Sequence, residues 1–244
     1  MSKITFKKII EETFFPINYT CNACGKEIFD GEYFCCDCNK NLPYIKENRC
    51  NHCGRLTTYA VTYCDSCAEH NISFDVARSV FDYVKPISAL IKGFKYEGKR
   101  YLAQVFASQI KNLYYSEFIE ADVIVYVPMS NERLKERGYN HAKLLAKELS
   151  DVIDVPISDT AIIKTVETPR QANLSRQERR KNLQKSFKVV SEEIKDKNVL
   201  LVDDVLTTGT TADTIAEQLK NKGAKKVSVL TIASVQHDNL KPIE

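Results

Sequence analysis

Apolar runs and helical stripes alternate along most of the chain beyond residue 70. Val199-Leu200-Leu201-Val202 is an unbroken apolar run behind the polar Lys197-Asn198. Such a run reads as a strand buried on both faces of a parallel sheet. Ala121 to Val127 (ADVIVYV) has the same character, and Phe74 to Val84 (FDVARSVFDYV) alternates well enough for a strand. A short strand is expected over Ala161 to Lys164. Phe187 to Val190, Val199 to Val202 and Val227 to Ile232 then complete a mostly parallel sheet. Between the strands the period becomes helical. Pro86 opens one helix through Leu90, Ile91 and Phe94, and residues 101–118 place Leu102, Val105, Phe106, Ile110 and Leu113 on one face. Further helices run to Leu149 and from Ala212 to Lys222. The expected fold class is α/β: a mostly parallel sheet with flanking helices.

Two adjacent carboxylates, Asp203 and Asp204, follow the most apolar strand at its carboxyl end, where open α/β sheets place their ligands. Val205-Leu206-Thr207-Thr208-Gly209-Thr210-Thr211 then leads into the helix. Small hydroxylated residues around a glycine at a helix N-terminus offer N–H groups and hydroxyls to one phosphate group. Carboxylates accept from ribose hydroxyls, so acids beside a phosphate cradle suit a sugar phosphate. An ordinary helix capped by Thr210 or Thr211 would need neither the acid pair nor this loop. The GxxxxGK[ST] and GxGxxG patterns of other nucleotide sites are missing. Over 199–211 the run resembles, without a gap, the phosphoribosyl-diphosphate (PRPP) signature of type I phosphoribosyltransferases.

All nine cysteines lie between Cys21 and Cys67. Cys21-x2-Cys24-x10-Cys35-x2-Cys38 is repeated 29 residues on as Cys50-x2-Cys53-x10-Cys64-x2-Cys67, with Gly25 and Gly54 after each first pair. Two CxxC knuckles supply the four thiolates of a tetrahedral structural zinc. The simplest arrangement is two consecutive zinc ribbons, one ion each; a cross-braced pairing between the copies remains open. A redox CxxC would need a thioredoxin-like βαβ context, which is lacking, and iron–sulfur binding is disfavoured by the duplicated ribbon spacing. Cys36 falls outside the repeat. His52 and His70 read as solvent-facing residues rather than ligands. The expected domains are a cysteine-rich double zinc ribbon over 1–70 and a phosphoribosyltransferase-like domain over 71–244.

Charge refines this division. The net charge of +3 splits into −1 over residues 1–70 and +4 beyond them. Eight thiolates and two zinc ions would make the ribbons still more acidic and a poor general phosphate binder, so they read as a folding or protein-contact module. No apolar run is long enough to span a bilayer, and Met1 to Phe15 alternates lysines with apolar residues. A cytoplasmic protein, not embedded in a membrane, is expected.

Three stretches concentrate basic residues. Lys92 to Arg100 is either a solvated helix end or places Lys95 and Tyr96 at the active site or on nucleic acid. Arg133 and Arg137, four apart on one face of a helix start, follow the ADVIVYV strand and suit bidentate contact with a diphosphate. Residues 165–188 hold 7 Lys/Arg against 2 Asp/Glu, among them Arg176, Arg179, Arg180 and Lys181. A polar insertion of this length in a compact domain is commonly functional or disordered, the other reading being a solvated basic helix.

The duplicated cysteine module, RLKERGYNHAKLLA, RQANLSRQERRKN and VLLVDDVLTTGTT together resemble, nearly end to end, the ComF family. The resemblance implies a phosphoribosyltransferase-like domain behind a zinc-binding module and a role in handling single-stranded DNA during natural transformation. It implies magnesium bound with PRPP, ribose hydroxyls on Asp203 and Asp204, the 5-phosphate on Val205 to Thr211, and pyrophosphate on Arg133 and Arg137. The 165–188 stretch takes the place of the hood that closes over PRPP. One departure is His141, where the family usually carries Gln. An active transferase of nucleotide metabolism with an unknown acceptor is the alternative. Another is an adaptor with a vestigial core, docked on a competence helicase or DNA channel. Proteins of this fold often form homodimers.

Overall fold

The computed structural model describes residues 20–46, 48–165 and 185–235. Arg176, Arg179, Arg180 and Lys181 therefore lie outside the described residues. The chain divides into two compact units, one ending at Pro43 and one beginning at Tyr44. The cysteine repeat suggests a division at residue 70 instead, because the spacing alone cannot show what each copy packs against.

In the smaller unit, the Cys21–Gly25 knuckle is closed by main-chain bonds from Gly25 N to Cys21 O and from Cys21 N to Lys26 O, both 2.8 Å. Helix α1 (Cys36–Asn41) carries the second pair; the Cys35 sulfur at its N-cap accepts from Cys38 N. Ile28, Phe34 and Leu42 are buried. In so small a unit they form a sparse core, which makes metal a sensible staple.

The larger unit opens with the second knuckle, closed by the same bonds: Gly54 N to Cys50 O at 2.9 Å and Cys50 N to Arg55 O at 2.8 Å. Helix α2 (Asp65–Ala68) carries its second cysteine pair. The sheet contains β1 (Val76–Asp82), β2 (Val123–Tyr126), β5 (Asn198–Leu206) and β6 (Lys226–Ser234), in the order β1-β6-β5-β2, all parallel. Helices α3 (Ile87–Tyr96), α4 (Leu102–Ser116), α5 (Asn131–Arg137), α6 (His141–Ile153) and α7 (Thr210–Asn221) connect and cover it. The apolar stripe expected over 101–118 is seen in α4, where Leu102, Val105, Phe106 and Ile110 are buried.

One core gathers Val199, Leu201, Val227 and Val229 of the sheet with Ile215 and Leu219 of α7. Cys50, Cys53, Cys67 and Phe74 belong to the same core. The second ribbon thus helps to bury a face of the sheet. Ala77 N of β1 donates to His52 O at 2.8 Å. His52 stacks on Phe74, ring centroids 5.2 Å apart, so it is a packing residue and not the solvent-facing one expected.

Two strands differ from expectation. β3 (Ile162–Lys164) and β4 (Phe187–Val189) pair antiparallel with each other in a separate two-stranded sheet, so Phe187 to Val190 does not extend the parallel sheet. The outer side of β2 is already used: Ile124 N donates to Pro156 O and Ser158 N to Ile124 O. The hairpin is instead held on α7 by Gln218, whose Nε2 donates to Phe187 O (2.8 Å) and whose Oε1 accepts from Val189 N (3.2 Å). β5 also runs beyond Val202 through the acid pair, because Asp203, Val205 and Leu206 remain in register with Thr231, Ala233 and Ser234 of β6.

Candidate phosphate-binding site

β5 ends at Leu206 and α7 begins at Thr210, leaving Thr207-Thr208-Gly209 as the turn. Gly209 is the N-cap at φ 78°, a left-handed conformation that glycine adopts without strain, and no side chain caps the helix. Thr210 is buried in the first turn and is not the cap. Its hydroxyl lies 2.8 Å from that of Thr208, and Thr214 Oγ1 donates to Thr210 O at 2.8 Å. Thr210 N, the first amide of α7, donates to Thr208 Oγ1 at a long 3.4 Å; with a glycine as N-cap, the amides that follow it keep their hydrogen-bonding capacity for an anion. Val205 and Leu206 are strand residues; Leu206 is buried in the core and its carbonyl accepts from Val235 N.

The acid pair is asymmetric. Asp203 is partly exposed, whereas Asp204 is buried, at 4% exposure. Asp204 N donates to Asp203 Oδ1 at 2.8 Å. On Asp204 Oδ2 converge Lys95 Nζ of α3 at 2.8 Å and His141 Nε2 of α6 at 2.5 Å. Both contacts bring a cationic or N–H-bearing group against the buried carboxylate. Burial pushes the Asp204 carboxyl up, but Lys95 and His141 outweigh it and hold the group below the usual range. Asp203 moves the other way: burial, and next the charge of Asp204, push it up to about 7. Asp204 is therefore committed inside the protein, and Asp203 is the carboxylate left open to a ligand.

Sequence order places the two partners of Asp204 well. Lys95 lies in the last turn of α3, and His141 is the first residue of α6, whose N-cap Asn140 accepts from Lys143 N. Phe94 packs against the His141 ring, 6.2 Å between centroids. Lys95 is thus drawn inward to Asp204 and is not a surface cation for nucleic acid. Tyr96 stays exposed, with the Arg137 guanidinium 4.5 Å over its ring and donating to its hydroxyl at 3.1 Å. Arg100 stacks likewise on Tyr139 at 4.6 Å. Arg133 and Arg137 both lie on α5, and Ser130 caps that helix by accepting from Arg133 N. Arg137 is engaged with Tyr96, while Arg133 is half-exposed.

The cysteines form two clusters, Cys21/Cys24/Cys35/Cys38 and Cys50/Cys53/Cys64/Cys67, each with its sulfurs within 4.8 Å of one another. Hence each repeat closes on itself, and the cross-braced pairing is ruled out. Measured pairs are Cys24–Cys35 at 3.9 Å, Cys50–Cys67 at 3.9 Å and Cys53–Cys64 at 3.7 Å. Four thiolates about 2.3 Å from one zinc ion would stand about 3.8 Å apart, so both sets fit structural zinc. Cys36 is exposed and belongs to neither.

Sequence reasoning left the role of His141 open and missed Arg55 altogether. Arg55 is buried beside the second knuckle and donates from Nη2 to the Thr207 carbonyl at 2.5 Å. Asp213 in the first turn of α7 accepts from Ser73 N at 2.7 Å. Neither contact has a local sequence signal, since partners lie well over a hundred positions apart.

A phosphoribosyl transferase domain model matches residues 135–244, and a double zinc ribbon domain model matches residues 10–68. Competence protein F of Haemophilus influenzae is 30% identical over 223 residues, covering 88% of this chain and 90% of its own length. The chain belongs to the ComF family. Among its ComF-type relatives, DNA utilization protein YhgH of Escherichia coli K12 is 28% identical across 86% of this chain and 94% of its own. Competence protein ComFC of Streptococcus pneumoniae is 26% identical across 83% and 88%. The chain thus carries a double zinc ribbon ahead of a phosphoribosyltransferase-type fold, to which the parallel sheet with its acid pair and threonine loop belongs. Among the described residues no helix is long and apolar enough to cross a membrane.

Proposed function

We propose that this ComF-family protein is a cytoplasmic competence protein that binds PRPP, or a related phosphoribosyl ligand, while handling single-stranded DNA in transformation. The observation that carries the ligand is the glycine-capped, threonine-lined N-terminus of α7 following Asp203. Amides and hydroxyls of Thr207 to Thr211 take the 5-phosphate, and Asp203 accepts from the ribose hydroxyls. Arg133 approaches the pyrophosphate, joined by Arg137 when it leaves Tyr96. Magnesium, when bound, neutralises diphosphate charge. It would be held largely by ligand oxygens and water, with Asp203 the carboxylate open to it, because the Lys95 ammonium at 2.8 Å already neutralises Asp204. These groups bind and orient, so transfer to an acceptor relies on positioning and charge stabilisation. Relatives named for competence and DNA utilization support the DNA role. The exposed Tyr96 beside Arg137, and the exposed Arg100 over the partly buried Tyr139, offer stacking and charge to a single strand.

The test is calorimetric titration of zinc-loaded protein with PRPP and Mg²⁺, in wild type and Asp203→Asn, with pyrophosphate release followed with and without single-stranded DNA. The expected result is binding that the variant weakens about tenfold or more, a charged hydrogen bond's worth. Equal affinity of the two proteins would reject Asp203 as the ribose ligand. DNA affinity that does not fall with salt would reject backbone binding.

A further inference from the structure

We propose that the second cysteine cluster positions the phosphate loop through Arg55, making this ribbon a working part of the ligand site. The inference rests on reading Thr207–Thr211 as a phosphate site. Arg55 stands two residues after Cys53 and is 94% buried, with 6% exposure. Its Nη2 donates to the Thr207 carbonyl, the first residue of the loop, at 2.5 Å. Pinning that carbonyl fixes the peptide orientation from which the following amides fan toward an anion.

The knuckle is itself rigidly seated. Gly54 sits at φ +71°, and a Cβ there would lie 2.5 Å from Ala77 O, so knuckle backbone and β1 touch directly. Ala77 N returns a bond to His52 O. The other end of the loop is held by the same region: Ser73 N donates to Asp213 Oδ1 in the first turn of α7. Between these braces lies a cleft lined by Cys53, Arg55, Cys67, Leu206, Thr208 and Gly209. Cysteine ligands and phosphate loop thus share one surface.

The repeat provides an internal control. The first knuckle makes the same two main-chain bonds with Lys26 where the second has Arg55, and Lys26 is exposed. The main-chain turn around the sulfurs therefore needs no buried arginine. The arginine serves what lies beyond the knuckle.

Arg55→Met and Arg55→Lys, made in the full zinc-loaded chain, test this. The measurements are zinc per chain, amide hydrogen exchange of residues 207–211, and affinity for PRPP with Mg²⁺. Arg55→Met is expected to keep both zinc ions, speed exchange of the loop amides, and lose about tenfold in PRPP affinity. Arg55→Lys, which retains a donor, is expected to recover part of both. Unchanged exchange in Arg55→Met overturns the proposal, as does loss of zinc, which would make Arg55 a prop of the knuckle. Failure of wild type to bind PRPP would instead remove the phosphate-site reading; loop exchange alone then decides whether Arg55 holds the loop.

Discussion

The acid pair shows how two identical neighbours on one strand acquire different chemistry. Successive strand residues face opposite ways, and Asp204 meets Lys95 and His141 while Asp203 stays at the opening. Asp204→Asn would leave Lys95 largely buried without its counter-charge. Urea unfolding should then show a loss of roughly 3–5 kcal/mol; an unchanged midpoint would mean the ion pair is not structural. The raised Asp203 value sets a pH dependence with a definite sign. Because its folded value lies above its unfolded one, its contribution is present below pH 3.8 and is lost as pH rises through about 7. The stability of wild type relative to Asp203→Asn should fall over that interval. Its PRPP affinity relative to the same variant should rise, since the carboxylate is the better acceptor. Parallel pH series of urea midpoints and calorimetric affinities check both trends. His141 fits the same logic: its Nε2 faces Asp204 Oδ2 from the start of α6.

At the scale of elements, the two knuckles are one motif in two settings. Gly25 and Gly54 have nearly equal positive φ, 75° and 71°, yet a Cβ at Gly25 would meet nothing within 4 Å while one at Gly54 would strike Ala77 O. Gly25→Ala should cost only the left-handed strain of about 1–2 kcal/mol. Gly54→Ala should cost clearly more, because the knuckle must lift from β1. Thermal melts with zinc analysis measure the difference; equal losses would show that the knuckle does not bear on the strand. The expectation that Phe187 to Val190 joins the parallel sheet fails for a related reason, since β4 pairs with β3 in a separate hairpin. Its apolar residues announce strands, but Gln218 on α7 and the prior use of the β2 edge determine where they go.

For the whole molecule, the main consequence is that the second metal cluster belongs to the core of the larger unit. Cys50, Cys53 and Cys67 are buried among sheet and α7 residues. Cys67→Ser should remove one of four ligands there and release metal-binding energy that is also folding energy. Calorimetry of the full chain should show the transition of the larger unit shifted down by several degrees or more. An unaltered transition, with one zinc ion lost, would show that the sheet does not depend on the ribbon.

Local chemistry was largely legible in the chain. The duplicated CxxC spacing named both ligand sets, apolar period placed most strands and helices, and the run from Val199 to Thr211 identified strand, acids and loop. These features depend on near neighbours, whose spacing is written in order. Tertiary structure decided what needs distant residues to meet. It turned Lys95 inward, gave His141 its partner, divided the roles of the two aspartates, and put Arg55 on the phosphate loop. The physical reason is that burial and charge neutralisation depend on which surfaces pack together. Spacing along the chain does not encode that the second ribbon, and not solvent, covers part of the sheet.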